Sequence, residues 1–212
     1  VAANKTQSRR GHARTIGSPR RRNRANLYNG IEAWQTSGTP VDCVKLAVDK
    51  ILHRKPDLCL SGINHGANHS INVLYSGTMS AAMEAAIEGI PSIGFSLLDY
   101  NYDADFTASK QIVYKINKNL LLNVNIPIAT PENIKGIKIC RQANAKYKED
   151  FIERTDPHQK KYFWLTGEFK NFDKGKDSDV WALQNNYVSV VPVQYDLTHY
   201  KLKQKLEKSK LF

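Results

Sequence analysis

The chain has 212 residues, of which 41% are hydrophobic and 24% are charged, and its net charge is +11. This composition is typical of a globular protein rather than a disordered one, and the length suffices for one sizeable core. No apolar run approaches the roughly 20 residues that span a bilayer, so the sequence predicts no membrane-spanning helix.

The basic residues are concentrated near the two ends of the chain. Eight lysines and arginines precede the first acidic residue, Glu32, and a second group lies between Lys201 and Lys210. Such ends can bind polyanions, including nucleic acid. The alternative is a solvated, partly disordered terminus, which is the interpretation that we favour. We therefore do not expect nucleic acid to be a partner.

The cysteines indicate a reducing compartment. Cys43, Cys59 and Cys140 are odd in number, lie far apart and show no metal-ligand spacing. Free thiols in apolar stretches are usually buried. Because the first 24 residues also lack the apolar segment of a signal peptide, we predict a cytoplasmic protein.

The first predicted helix begins at Thr39. Thr39 is a favourable N-cap, Pro40 suits the first helical position, and Asp42 completes a capping box. Apolar residues then recur at helical spacing to about His53, and Pro56 ends the pattern.

Strands and helices alternate after this helix. Strands are predicted at Leu58–Leu60, Ile93–Leu97 and Leu120–Ile126, and helices at Thr78–Glu88 and Ala104–Asn119. A short, wholly apolar strand such as Leu58–Leu60 is typical of a parallel sheet that is buried on both faces. Repeated strand–helix units with short connections predict a three-layer α/β/α fold around a parallel sheet.

The pattern changes after Gly136. Strands are predicted at Ile137–Cys140, Tyr162–Leu165 and Tyr187–Val193, and polar loops separate them. This spacing indicates antiparallel hairpins that project from the α/β body. Because long hairpins with exposed aromatic residues commonly form subunit contacts, we expect residues 137–195 to include an oligomerisation region.

Two glycine-containing turns flank one strand–helix unit and carry the most informative chemistry. In an open parallel sheet, ligands bind beyond the carboxyl ends of the strands, where Asn64 and Asn68 are expected. Ser76, Gly77 and Thr78 begin the next helix, where free backbone N–H groups and the helix dipole attract an anion. The hydroxyl groups would add donors. Taken alone, such a turn is more often a helix cap, but two such turns around one strand–helix unit are stronger evidence for a ligand site.

These segments resemble the signature blocks of the SurE family, and they occur in the family's order. The resemblance rests on residues 37–43, 61–68 and 75–84, and it extends to 123–127 and 188–192. It implies a Rossmann-like core with an exchanged hairpin, assembled as a homodimer or homotetramer. It also implies a metal-dependent 5′-nucleotidase that releases phosphate from nucleoside 5′-monophosphates, with 3′-monophosphates and polyphosphate as further substrates.

The resemblance implies roles for individual residues as well. Ser8 and Asn64 match ligands of a divalent metal, Mg²⁺ or Mn²⁺. Residues 76–78 match the family's phosphate-binding turn. Asn68 matches an active-site asparagine, which we expect to hydrogen-bond the transferring phosphoryl group. The histidines near these motifs receive no catalytic role, because lone histidines are more often polar surface residues.

The sequence departs from the family in one important respect. The family's metal also requires two adjacent aspartates after its first strand, and no such pair occurs in this sequence. We therefore interpret residues 1–212 as a single domain that lacks the family's first strand and helix. Ser8 and Asn64 are neutral ligands, whereas hard cations prefer carboxylates, so the chain as written should bind metal weakly.

Arginines form a second departure. Arg14 and the arginines of residues 19–24 lie where the family has apolar strand residues. Because burying unpaired arginines is costly, we expect this stretch to be disordered or to be a degraded copy of the family's segment. Two main readings follow: a nucleoside-monophosphate phosphatase, or an inactive relative that keeps the fold and the oligomer interface without the metal site.

Overall fold

A computed structural model describes residues 1–5, 11–28, 30–116 and 121–209. The strands are β1 (Ala2–Ala3), β2 (Arg22–Tyr28), β3 (Ile31–Thr36), β4 (Cys59–His65), β5 (Ser92–Leu97), β6 (Leu122–Ile126), β7 (Ile137–Ile139), β8 (Ala145–Thr155), β9 (Lys161–Asn171) and β10 (Val188–Pro192). The α-helices are α1 (Pro40–Leu46), α2 (Gly77–Ile87), α3 (Thr107–Lys115), α4 (Asp179–Gln184) and α5 (Tyr200–Lys208). A π-helical turn, Ala47–Ile51, continues α1, and 3₁₀ turns lie at Ser70–Leu74 and Pro131–Asn133.

The central sheet has the strand order β4-β5-β6-β10-β7. β4, β5 and β6 are parallel, as predicted, whereas β10 runs antiparallel to β6 and parallel to β7. The prediction that β7 and β10 belong to projecting hairpins is therefore wrong. Val188, Val190 and Val191 are all buried. This apolar strand lies inside the sheet, between β6 and β7, where both of its faces are covered.

The two faces of β5 show how helices cover the sheet. Ile93 and Phe95 pack in one cluster with Ile112 of α3. Gly94, between them, lies against Met79 of α2, since a Cβ at Gly94 would come within 2.3 Å of the Met79 sulfur. Neighbouring residues of a strand point to opposite faces, so α2 and α3 lie on opposite sides of the sheet. The predicted three-layer α/β/α fold is confirmed.

β4 is longer and more exposed than predicted. The strand extends to His65, and Leu60 is 52% exposed instead of buried. β4 is the terminal strand of the described sheet, so one neighbouring strand rather than two shields its side chains. The expectation of a strand buried on both faces is wrong at this position.

The arginine-rich stretch is not disordered within the described residues. From Arg22 onward it forms β2, which pairs antiparallel with β3, while β1 pairs parallel with the other side of β3. Arg24 is 62% exposed and 3.4 Å from Glu32, and the Arg22 guanidinium lies 5.2 Å from the centre of the Trp34 ring. Arg20, which precedes β2, is only 17% exposed, but its Nε lies 3.3 Å from the Asp42 carboxylate. Because this arginine is paired, the cost expected for buried, unpaired arginines does not arise.

Two local predictions are confirmed. Thr39 caps α1: its hydroxyl accepts a hydrogen bond from the backbone of Asp42, and the Asp42 carboxylate accepts one from the backbone of Thr39. β8 and β9 form a long antiparallel hairpin in continuous register from Ala145 opposite Asn171 to Thr155 opposite Lys161. The role of this hairpin in a subunit contact stays a prediction. Within the described ranges, the structure contains no helix of the length and hydropathy needed to cross a membrane.

Replacing Phe95 with alanine should test the central core. Phe95 is 2% exposed and packs in the cluster between β5 and α3, so we expect the free energy of unfolding to fall by about 3–5 kcal/mol. Tyr102→Ala, at a loop position where the ring is 98% exposed, is the control and should cost less than about 1 kcal/mol in urea unfolding. Equal losses in the two variants would contradict the assignment of the core.

Candidate functional site

A row of polar residues crosses the sheet near the carboxyl ends of three strands. Asn64 of β4 pairs with Ser96 of β5, and Ser96 pairs with Asn125 of β6. Ser96 and Asn125 are buried, while Asn64 is half-buried and donates from Nδ2 to the carbonyl of Gly66 at 2.9 Å. Because this nitrogen is engaged by the loop, Oδ1 is the atom that Asn64 can offer to a ligand.

Asn68 is fixed to the sheet through its backbone and its side chain. Its N–H donates to Oδ1 of Asn125 at 2.9 Å, and its carbonyl accepts from Nδ2 of Asn123 at 2.8 Å. Nδ2 of Asn125 donates to Oδ1 of Asn123 at 2.9 Å, and Nδ2 of Asn68 donates to Ser96 Oγ at 2.6 Å. All four side chains are buried, so protein groups replace water as their partners.

The turn that precedes α2 has the free donors of an anion site. Ser76 is the N-cap: its Oγ accepts from the N–H of Met79 at 3.0 Å, and its carbonyl accepts from the N–H of Ser80 at 2.9 Å. Within the described residues, the N–H groups of Gly77 and Thr78 and the Thr78 hydroxyl have no hydrogen-bond partner. Helix N-termini of this kind bind phosphate through such groups and the helix dipole.

Close packing sets the position of this turn. The contact between Gly94 and Met79 lets α2 approach β5, and Ser92 Oγ donates to the carbonyl of Ala82 at 2.7 Å. α2 also packs against β4, and it follows β4 through a single loop. The beginning of α2 therefore lies at the edge where β4 and β5 end.

Most of the residues predicted from the sequence come together at this edge. Asn64 lies on β4, Asn68 lies on the following loop, and Ser76, Gly77 and Thr78 lie at the start of α2. These positions form one continuous strand–loop–helix unit. Ser8 lies outside the described residues. The chemical roles of all of them stay predictions.

A buried carboxylate on α2 was not identified from the sequence. Glu84 is 3% exposed and accepts hydrogen bonds from Lys45 Nζ at 2.6 Å and His12 Nε2 at 2.7 Å. Burial raises the pKa of Glu84, but its hydrogen bonds to Lys45 and His12, with their charges, lower that pKa by more. Gly11, next to His12, donates to the carbonyl of Tyr75 at 3.1 Å, so this segment is attached beside the turn 76–78. A single acid in an Ala- and Met-rich helix was the only signal in the sequence.

A second buried polar group joins the loop to the base of the hairpin. The Asp179 carboxylate is fully buried and accepts from the N–H groups of Ser70 at 2.7 Å and Ala143 at 3.0 Å. His69 packs edge-on against Phe169 with ring centres 5.1 Å apart. Burial lowers the pKa of His69, and the charge of Asp179 raises it by less. The neutral form of His69 is therefore favoured, which suits a packing role.

The described residues do not complete a site for a divalent cation. Asn64 offers one neutral oxygen, and no cluster of three or more His, Cys, Asp or Glu side chains suited to a metal ion occurs in the part of the chain that the structure describes. Mg²⁺ and Mn²⁺ favour carboxylate ligands. We therefore assign no catalytic step to a bound cation.

Replacing Glu84 with glutamine should reveal its ionic contacts. We expect the free energy of unfolding at pH 7 to fall by about 1–3 kcal/mol, because hydrogen bonds to charged groups contribute on this scale. The folded-state pKa of Glu84 lies below its ordinary 4.5, so its contribution is complete above that pH and is lost as the pH falls through the folded-state pKa. The difference between wild type and Glu84→Gln in urea unfolding should shrink over that acidic range.

The matched control is Glu153→Gln. Glu153 lies 2.8 Å from Lys161 in an exposed pair on the hairpin, and its loss should change stability by less than about 1 kcal/mol. A constant difference between wild type and Glu84→Gln from pH 7 to the acidic range would contradict an ionised Glu84.

Residues 1–149 match the family model of the survival protein SurE. The 5′-nucleotidase SurE of Flavobacterium psychrophilum is 56% identical, with 97% of this chain and 84% of that protein aligned. The protein of the same name from Natranaerobius thermophilus is 43% identical, with 95% of this chain and 83% of that protein aligned.

The similarity extends to three dimensions. The crystal structure of the SurE protein from Aquifex aeolicus matches with a TM-score of 0.79 and 38% identity, and the match covers 97% of this chain and 86% of that chain. Family model, sequence identity and fold therefore agree, and this chain belongs to the SurE family.

Proposed function

We propose that this chain is a 5′-nucleotidase, a phosphoric monoester hydrolase that converts nucleoside 5′-monophosphates to nucleosides and phosphate. The observation that carries the proposal is the turn 76–78 at the carboxyl edge of the sheet, where the N–H groups of Gly77 and Thr78 and the Thr78 hydroxyl have no partner among the described residues. Relatives that share 54–56% of their residues with this chain are named 5′-nucleotidase SurE, which supports the same activity.

The residues of the turn have a direct part in this reaction. The N–H groups of Gly77 and Thr78 would hold the phosphate oxygens, and the positive end of the α2 dipole would stabilise the negative charge that increases as the ester bond breaks. Since the turn contacts phosphate alone, it does not itself distinguish a 5′ from a 3′ ester. Nucleoside 3′-monophosphates and polyphosphate are therefore included as further proposed substrates.

Asn68 and Asn64 are proposed to act beside the turn. The network with Asn123, Asn125 and Ser96 holds Asn68 in one orientation, which suits a group that must meet the transferring phosphoryl group precisely. Asn64 would contribute its Oδ1 to a divalent cation, Mg²⁺ or Mn²⁺, together with Ser8. Such a cation supplies Lewis-acid stabilisation of phosphate when bound.

We propose a homodimer or homotetramer in the cytoplasm, with the exposed aromatic residues of the β8–β9 hairpin at the subunit contact. The competing reading is an inactive relative that keeps the fold. The high identity to proteins named nucleotidase, together with the free donors of the turn, supports the enzyme over that reading.

Phosphate release from a panel of nucleoside monophosphates tests the proposal. It should be measured with Mn²⁺, with Mg²⁺ and with EDTA. The chain as written should be compared with a version extended at its start by a strand–helix unit that carries two adjacent aspartates. We expect the extended version to release phosphate in a cation-dependent manner. The chain as written should be at least about 100-fold slower, because its proposed metal ligands, Ser8 and Asn64, are neutral. Release from neither version would overturn the nucleotidase.

Replacing Thr78 with valine tests the phosphate turn itself. The substitution is made in the extended version, which is the one expected to be active. Valine keeps the shape of the side chain and removes the hydroxyl, and the loss of one donor to a charged group should lower kcat/KM by about tenfold or more. Thr166→Val, at an exposed position on β9, is the control and should leave kcat/KM unchanged. A Thr78→Val enzyme with wild-type kcat/KM would contradict the role of this hydroxyl.

A further inference from the structure

Tyr100 is an exposed aromatic residue whose position is nevertheless fixed. It is 74% exposed, yet its hydroxyl accepts a hydrogen bond from the N–H of Ala67 at 3.1 Å. Its ring lies directly on Gly66, because a Cβ at that glycine would come within 2.2 Å of the ring. A large aromatic ring that is held in place but exposed to solvent is more typical of a ligand-binding surface than of a hydrophobic core.

The backbone around Tyr100 is also well anchored. The N–H of Gly66 donates to the carbonyl of Leu97 at 2.7 Å, and the N–H of Leu98 donates to the carbonyl of Ile126 at 3.0 Å. Beyond Tyr100, the Asp99 carboxylate accepts from the N–H of Asn101 at 2.9 Å. The ring is therefore presented by a segment that hydrogen bonds attach to both β4 and β6.

This ring and the phosphate turn belong to the same edge of the sheet. Gly66 and Ala67, which hold Tyr100, begin the loop that carries Asn68 and that leads into the turn 76–78. The carbonyl of Gly66 also accepts from Nδ2 of Asn64. A ligand whose phosphate occupies the turn would thus share this edge of the sheet with an aromatic surface, at the carboxyl end of β5.

We propose that the ring of Tyr100 stacks against the base of the nucleotide whose phosphate binds at the turn 76–78. This inference rests on the proposed nucleotidase function and names the part of the substrate that Tyr100 recognises. The Tyr100 hydroxyl is engaged by Ala67 and so does not read the edge of a base. Stacking uses the face that all bases share, so the site favours nucleotides over base-free sugar phosphates while discriminating weakly among bases.

Binding of AMP and of ribose 5-phosphate tests this proposal, because the two compounds differ only at C1′, which carries adenine in AMP and a hydroxyl group in ribose 5-phosphate. Calorimetric titration of the full chain needs no turnover. Base–aromatic stacking contributes about 5- to 150-fold in affinity, so AMP should bind more tightly than ribose 5-phosphate within that range. Tyr100→Ala should remove most of this advantage and leave ribose 5-phosphate unchanged, whereas Tyr100→Phe should keep the advantage.

Tyr102→Ala is the matched control. Tyr102 is 98% exposed and makes no hydrogen bond or ring contact within the described residues, so its loss should change neither affinity. Equal binding of AMP and ribose 5-phosphate to the wild type, or an AMP affinity that Tyr100→Ala does not alter, would overturn the proposal while leaving the phosphate site intact. Failure of the wild type to bind either compound would instead overturn the phosphate site at the turn 76–78, and this proposal with it.

Discussion

The side chains of Asn123 and Asn125 form hydrogen bonds with the backbone N–H and carbonyl of Asn68, which in a sheet would pair with a neighbouring strand. One donates to its carbonyl and the other accepts from its N–H, and the two asparagines also bond to each other. A loop that leaves a sheet normally depends on water for these bonds. Here side chains of β6 form these hydrogen bonds. They hold the loop between β4 and α2 at the edge of the sheet where β4 ends and α2 begins.

The rest of the candidate site depends on this attachment. Buried amides are costly unless they are paired, so the network stabilises one arrangement of the loop and disfavours others. Asp179 acts in the same way a few residues later, by holding the N–H of Ser70. With the loop fixed at both places, Ser76 begins α2 at a defined point. The small size of Gly94 then lets the helix lie directly on β5.

Features encoded by neighbouring residues could be predicted from the sequence. The capping box of Thr39 and Asp42, the buried strand β5 and the start of α2 at residues 76–78 depend on local patterns, and the structure contains all of them. The place of β10 could not be predicted, because pairing with β6 and β7 joins residues far apart in the sequence. For the same reason, the contact of His12 with Glu84 left only a weak signal in the sequence. The roles of Asn64 and Asn68 came from family resemblance rather than from pattern.

The charged surface of β2 has a consequence for how this chain behaves at high concentration. β2 is the outer strand of its small sheet, and an outer strand can add a strand from another molecule through its unpaired backbone groups. An incoming strand would have to desolvate the guanidinium groups of Arg22 and Arg24, or pair them with carboxylates of its own. Arginines that would be unfavourable inside a core thus disfavour the addition of a strand at this edge.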